Sequence, residues 1–321
     1  MGKLKIKKKV KKIFIITIIL FLFLSIGIYS SIKIYKQKQY EKTYEYKLLE
    51  VGYNIDDVKI ILDKYKNKEI EYILDNEVNN YYIDILNEKY FIYENFYDYL
   101  EYLNNNLDKP LINIIEIINT NRDEEYYTDT TKTNINDNEI MLVNKYNYLD
   151  ENYKPDNLVT ISTTYSWGEY GSQKVTKDTY DAFLELWNAS HEQGYYLMVS
   201  SSYRSYDKQQ AVYDDYKESF GTSYADSIAA HAGYSEHQTG YAIDMFEKGE
   251  TQKTFHTTDS YNWLINNAHK YGFILRYPED KEDITGYTFE SWHYRYVGVE
   301  IASYIYENKI TYDEYYAYFI K

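Results

Sequence analysis

One aspartate sits where a core strand should be. Residues 241–246 read YAIDMF, and every neighbour of Asp244 in that segment is apolar or aromatic. A carboxylate on a core strand is costly unless it is paired or held on a metal. The preceding stretch, HAGYSEHQTG, is polar and carries two of the chain's six histidines, His231 and His237. His237 and Asp244 lie seven residues apart across Gly240, a spacing that one helical turn does not bridge. A loop followed by a strand must bring them together. Two readings of the stretch stay open: a solvated loop histidine with a capping aspartate, or half of a metal site.

The chain has no cysteine, which removes disulfides, thiolate zinc sites and a cysteine nucleophile. Metal ligands must then come from His, Asp and Glu, donors that zinc accepts readily. A second stretch, GYTFESWHYRYVG at 286–298, holds Glu290, Trp292, His293 and Arg295. His293 is a candidate third ligand, and Glu290, three residues earlier, a candidate base. A packed aromatic histidine beside a surface glutamate is the competing reading. A third stretch, SSYRSYDKQ at 201–209, puts Arg204 at a strand end just before a helix start. Arginine there suits a substrate carboxylate, which it grips with paired donors; bonding to loop carbonyls is its structural alternative. His191 sits near a helix C-terminus, where a cation suits the dipole. His256 and His269 read as surface residues, and a ligand role for His231 would be in excess.

The N-terminus makes a different demand. Residues 13–32 form an uncharged, mostly apolar run of the length that spans a bilayer core as a helix. Seven lysines precede it and three follow closely. The larger basic cluster, residues 1–12, should stay cytoplasmic and leave the body outside. The run is long for a signal peptide, and IGIYSS is a poor cleavage site. An uncleaved anchor is expected, with membrane contact through this helix alone. The ten lysines of residues 1–40 leave 25 basic side chains against all 50 acidic ones in the body. So acidic a body argues against nucleic acid as a partner.

Residues 33–118 read as a helical stalk or packing module. In DDVKIILDKYK, Val58, Ile61, Leu62 and Tyr65 share one helical face behind an Asn54 cap. Residues 119–138 are polar without periodicity and read as a linker. From 139 to 321 strands and helices mix without strict alternation, which predicts an α+β domain. IMLVNK, NLVTIS, YYLMVSS and FILR are the expected strands among them.

Taken together, SSYRSYDKQ, SEHQTGYAID and ESWHYRYVG, in this order, resemble the zinc D-alanyl-D-alanine carboxypeptidases of the VanY type. The resemblance covers about residues 139–309. It implies the small α+β fold shared with the Hedgehog signalling domain, and a Zn2+ ion on His237, Asp244 and His293. It implies Glu290 as catalytic base and Arg204 near the substrate or the oxyanion. Ser235, Gln209, Ser205, Tyr203 and Trp292 are the expected substrate contacts. The implied substrate is the peptidoglycan stem peptide, met outside the membrane of a Gram-positive-type or related bacterium. Ser202 departs from the family's usual glycine, and HAG at 231–233 lacks a common proline. L,D-carboxypeptidase and endopeptidase activity are alternatives within the chemistry. A non-catalytic wall-binding module on the same fold is the alternative outside it, and the presence of Glu290 speaks against that.

Overall fold

The computed structural model describes residues 2–167 and 172–320, with the side chains of 2–16 and 19 excepted. Contacts divide the chain into two compact units, Met1–Phe91 and Ile92–Lys321.

The first unit is helical. A long helix, Gly2–Tyr40, is followed by Tyr44–Val51, Ile55–Lys64, Asn67–Asp75 and Tyr81–Asn87. Asn54 caps the third of these, accepting from the Asp56 and Asp57 amides at 2.9 Å, as its position before the apolar periodicity predicts. Val58, Ile61 and Tyr65 are buried, whereas Leu62 is 39% exposed. The apolar face is therefore narrower than the sequence reading drew it. Among the described residues no helix is long and apolar enough to cross a membrane. The expected span 13–32 falls partly on 13–16 and 19, whose side chains lie outside the described set. Within it, Leu20, Phe21, Leu22, Phe23 and Leu24 are each more than half exposed.

The second unit starts earlier than expected. Helices Phe96–Asn105 and Leu111–Asn119 belong to it rather than to a stalk. The reason is apolar demand. Leu111–Asn119 buries Ile114, Ile115, Ile117 and Ile118, more than one face of a free-standing helix can hide, and it packs near Tyr312–Phe319 and Glu282–Thr285.

Among the described residues eight strands follow in this unit: β1 Thr131–Lys132, β2 Asn147–Tyr148, β3 Leu158–Thr160, β4 Lys174–Thr176, β5 Leu197–Ser201, β6 Ala242–Glu247, β7 Phe273–Leu275 and β8 His293–Tyr296. The principal sheet is β5-β6-β8-β7 with antiparallel pairing throughout. Helix Lys177–Glu192, capped by Thr176, leads into β5. Side chains alternate across the sheet. Ile243 and Met245 of β6 and Tyr294 of β8 join Phe183, Leu186 and Leu264 in the main core. Asp244 and His293 stand on the other face. One expected strand is absent: 140–145 follows the turn Ile135–Ile140 as irregular chain. The carbonyls at its start are taken by side chains instead of a neighbouring strand. Arg295 donates to Met141 O at 2.9 Å and Thr133 to Leu142 O at 2.6 Å, which satisfies the backbone without a ladder.

Candidate metal centre and active site

Asp244 and His293 are register partners across the β6–β8 pair, so the pleat aims both side chains at the same face. His237 comes from the turn Glu236–Thr239 that precedes β6. Gly240 ends that turn in the left-handed region, at φ 74°. A Cβ there would meet Leu158, Thr176 and Pro155 side chains at 3.0–3.3 Å. Glycine thus lets the chain double back between the two residues.

The three side chains each offer a ligand atom within 4.8 Å of the others, and all are buried. His237 Nδ1 lies 2.8 Å from Ser202 O. Donation there fixes the tautomer and leaves Nε2 free, 3.4 Å from Asp244 Oδ2. His293 turns Nδ1 toward Asp244 Oδ1 at 3.1 Å and Glu290 Oε2 at 3.6 Å. Yet Asp244 Oδ1 has no hydrogen-bond partner. A buried carboxylate whose two oxygens each face a different imidazole is a site shaped for a cation between them. Two nitrogen donors and one oxygen donor fit zinc with a position left open.

The electrostatics agree. Burial opposes ionisation of Asp244, but His237 and His293 overcome it and hold its carboxyl well below the usual range. Burial pushes the Glu290 carboxyl up to about 8, with Asp244 adding to the rise and His293 countering it. Burial lowers the His237 imidazole. Burial works to lower His293, but the neighbouring Asp244 and Glu236 carboxylates outweigh it and raise the imidazole to about 9.

A cavity of about 370 Å³ opens over these groups, within the range of small-molecule sites. Arg204, Gln209, Ser235, Trp292 and Glu290 all line it. Arg204 is held by Gln209 Oε1 at 2.8 Å and Ser201 Oγ at 3.0 Å. Its own amide donates to His237 O at 3.0 Å, which ties the arginine loop to the ligand loop. Two expected contacts fall elsewhere. Ser205 caps helix Tyr206–Phe220 by accepting from Lys208 N at 3.4 Å, and the Tyr203 amide donates to Lys174 O; neither residue lines the cavity. Ser202, the departure from glycine, is buried and donates to Gln173 Oε1 at 2.8 Å while accepting from Lys174 N. His231 stands apart, 3.0 Å from Asp226 and stacked on Tyr127.

Three buried residues escaped the sequence reading. Glu236 Oε1 accepts from Arg276 at 2.8 Å and Arg295 at 3.1 Å. Its Oε2 lies 3.5 Å from His293 Nε2. Arg276 also donates to Asp313 Oδ2 at 2.6 Å. Burial works against the Glu236 carboxylate, but the two guanidiniums prevail and hold its pKa low. The one available signal was Glu236 itself, a charge beside a candidate ligand in a stretch about to enter the core.

The family pattern for VanY, D-alanyl-D-alanine carboxypeptidase, matches residues 172–299. A putative carboxypeptidase of Bacillus subtilis, YodJ, is 40% identical over 184 residues, 56% of this chain and 67% of that protein. The bifunctional D-Ala-D-Ala dipeptidase and D-Ala-D-Ala carboxypeptidase VanXYC of Enterococcus gallinarum is 30% identical over 56% of this chain and 95% of its own length. The solved structure of the LdcB LD-carboxypeptidase aligns with a TM-score of 0.56 at 38% identity, covering 60% of this chain and 91% of LdcB. The fold and site define a peptidase of mixed α and β structure. The chain belongs to the VanY-type D-alanyl-D-alanine carboxypeptidase family.

Proposed function

We propose that this chain is a zinc-dependent carboxypeptidase that removes the terminal D-Ala from peptidoglycan stem peptides. The observation that carries the reading is the convergence of His237, Asp244 and His293 beside Glu290 in a cavity that also holds Arg204. His237, Asp244 and His293 would hold the metal. Bound there, zinc supplies Lewis acidity toward the scissile carbonyl and makes water a nucleophile near neutral pH.

The chain's own groups supply the rest. Glu290, buried and raised toward neutral pH, is suited to take a proton from the attacking water and return it to the leaving amine. Arg204, braced by Gln209 and Ser201, presents a fixed cation to the substrate's terminal carboxylate or to the charge developing on the carbonyl oxygen. Ser235 and Trp292 line the same cavity and bear on the peptide.

Helix Gly2–Tyr40 is proposed as a membrane anchor. Its exposed apolar side chains from Leu20 to Leu24 and the lysines on either side support a single span with the enzyme outside. The unit Ile92–Lys321 would then work between membrane and wall.

A second reading, L,D-cleavage of tetrapeptide stems, is favoured by the likeness to LdcB. Paired substrates separate the two. The full chain, loaded with zinc, is given a pentapeptide ending D-Ala-D-Ala and the corresponding tetrapeptide, and products are identified by mass spectrometry. Release of D-Ala from the pentapeptide, lost with a chelator and regained with zinc, is expected. Release from the tetrapeptide alone supports the second reading, and release from neither rejects both.

A further inference from the structure

Two arginines lie at the bottom of the site with no access to water. Arg276, Arg295 and Glu236 have wholly buried side chains, and that of Asp313 is 4% exposed. Unpaired buried charge is expensive, so each cation needs a fixed anion. Glu236 faces both guanidiniums through one oxygen. Asp313 supplies the second negative charge through Arg276, and its other oxygen accepts from Asn144 at 2.8 Å. Two cations and two anions then balance in one connected group.

The group ends on a candidate metal ligand. The free oxygen of Glu236 and the far nitrogen of His293 are 3.5 Å apart, and neither has a hydrogen-bond partner. A ligating imidazole commonly gives its second N–H to a carboxylate, which fixes ring orientation and basicity. A shift of a few tenths of an ångström closes this pair. Asp313 belongs to helix Tyr312–Phe319, outside the matched family segment 172–299.

We propose that Asp313, Arg276 and Glu236 form a relay of positioning residues that aims His293 at the metal, so that the C-terminal helix helps set the site's zinc affinity. This rests on the metal-site reading above. Glu236 acts directly on the imidazole, whereas Asp313 acts by holding Arg276 in the place where it can hold Glu236.

The test measures zinc affinity of the full chain by competition with a chromophoric chelator, beside thermal stability. Glu236→Gln is expected to weaken zinc by about 10–100-fold and Asp313→Asn by about tenfold, with Asp313→Glu recovering part of the loss. Glu314→Gln is the structural control. Glu314 accepts from the Thr311 amide in the capping box of the same helix and does not contact Arg276. It is expected to lower the melting temperature and leave zinc affinity within twofold. Asp313→Asn matching Glu314→Gln, less stable but with parental zinc affinity, would overturn the relay. Should Asp313→Asn not fold, Asn144→Ala loosens the same carboxylate, and parental zinc affinity in that variant overturns the proposal equally. A parent chain that binds no zinc refutes the metal-site reading itself, a different result from equal binding by parent and variants.

Discussion

Asp244 and His293 face each other across adjacent antiparallel strands, with Asp244 Oδ1 3.1 Å from His293 Nδ1. Their separation is set by the ladder, whereas His237 reaches them from a turn. Replacing either strand residue would then remove one donor of the proposed metal site. Asp244→Asn keeps the shape and halves the oxygen donors. It is expected to reduce zinc content of the purified protein to a small fraction of the parent's, measured by elemental analysis. Stoichiometric zinc in that variant would remove Asp244 from the ligand set.

Glu290 sits 3.6 Å from His293 Nδ1, close enough to serve the site without being one of the three converging ligands. Glu290→Gln should keep zinc and lose about 10²–10⁴-fold in kcat, the usual range for a positioned acid–base group. Metal content and kcat measured on the same preparation separate the roles. Loss of zinc along with rate would mean that Glu290 is a ligand.

The protonation of the site gives opposite pH trends for stability and for metal binding. In the metal-free chain His293 titrates at about 9 and Glu290 at about 8, both above the ordinary values of about 6.5 and about 4.3. A group raised in the folded state contributes stability that is complete below its unfolded pKa and lost as pH rises through its folded one. The melting temperature of the metal-free protein should therefore fall between pH 7 and about pH 8; above that, Lys145, lowered by burial to about 8, acts in the opposite sense. The depressed Asp244 carboxyl is ionised throughout that window and does not alter the sign. Zinc affinity should rise over the same range, because His293 must shed its proton to ligate. Calorimetry and chelator competition at stepped pH measure both, and parallel trends would contradict the assignment.

Gly240 holds φ 74° where the chain turns from His237 into β6. Gly240→Ala forces a side chain into that region against Leu158, Thr176 and Pro155. A cost of about 1–2 kcal/mol is expected from the backbone alone, read as a lower denaturant midpoint with unchanged slope. Zinc affinity should drop as well, since relief of strain displaces His237 relative to Asp244. An unaffected midpoint would show that the turn tolerates a Cβ.

How much of this was legible in the sequence follows from locality. Asp244 announced itself because a carboxylate in YAIDMF violates the strand's own pattern, and His237 and His293 lay in short segments with distinctive neighbours. Arg204 could be placed at a strand end for the same reason. Glu236 could not, since its partners Arg276 and Asp313 are joined to it only by the fold. A serine before a helix, such as Ser205, satisfies two descriptions, substrate contact and cap, and its hydroxyl caps the helix here. The apolar run at 140–145 looked like a strand, but no neighbouring strand offers it a ladder, and Arg295 and Thr133 take its carbonyls. Leu62 shows the same limit from the helical side: periodicity gives a face, while its width depends on what packs there.

The β6–β8 register has a consequence for when this chain becomes an enzyme. Before those strands pair, Asp244 has no His293 beside it and Glu290 has no site to serve. The contacts that assemble the site are among the long-range ones, which form late relative to local helices. Hydrolytic competence and completion of the sheet are thus acquired in one step. A copy in which those strands have not paired lacks the assembled site, so the peptidase activity waits on the completed sheet.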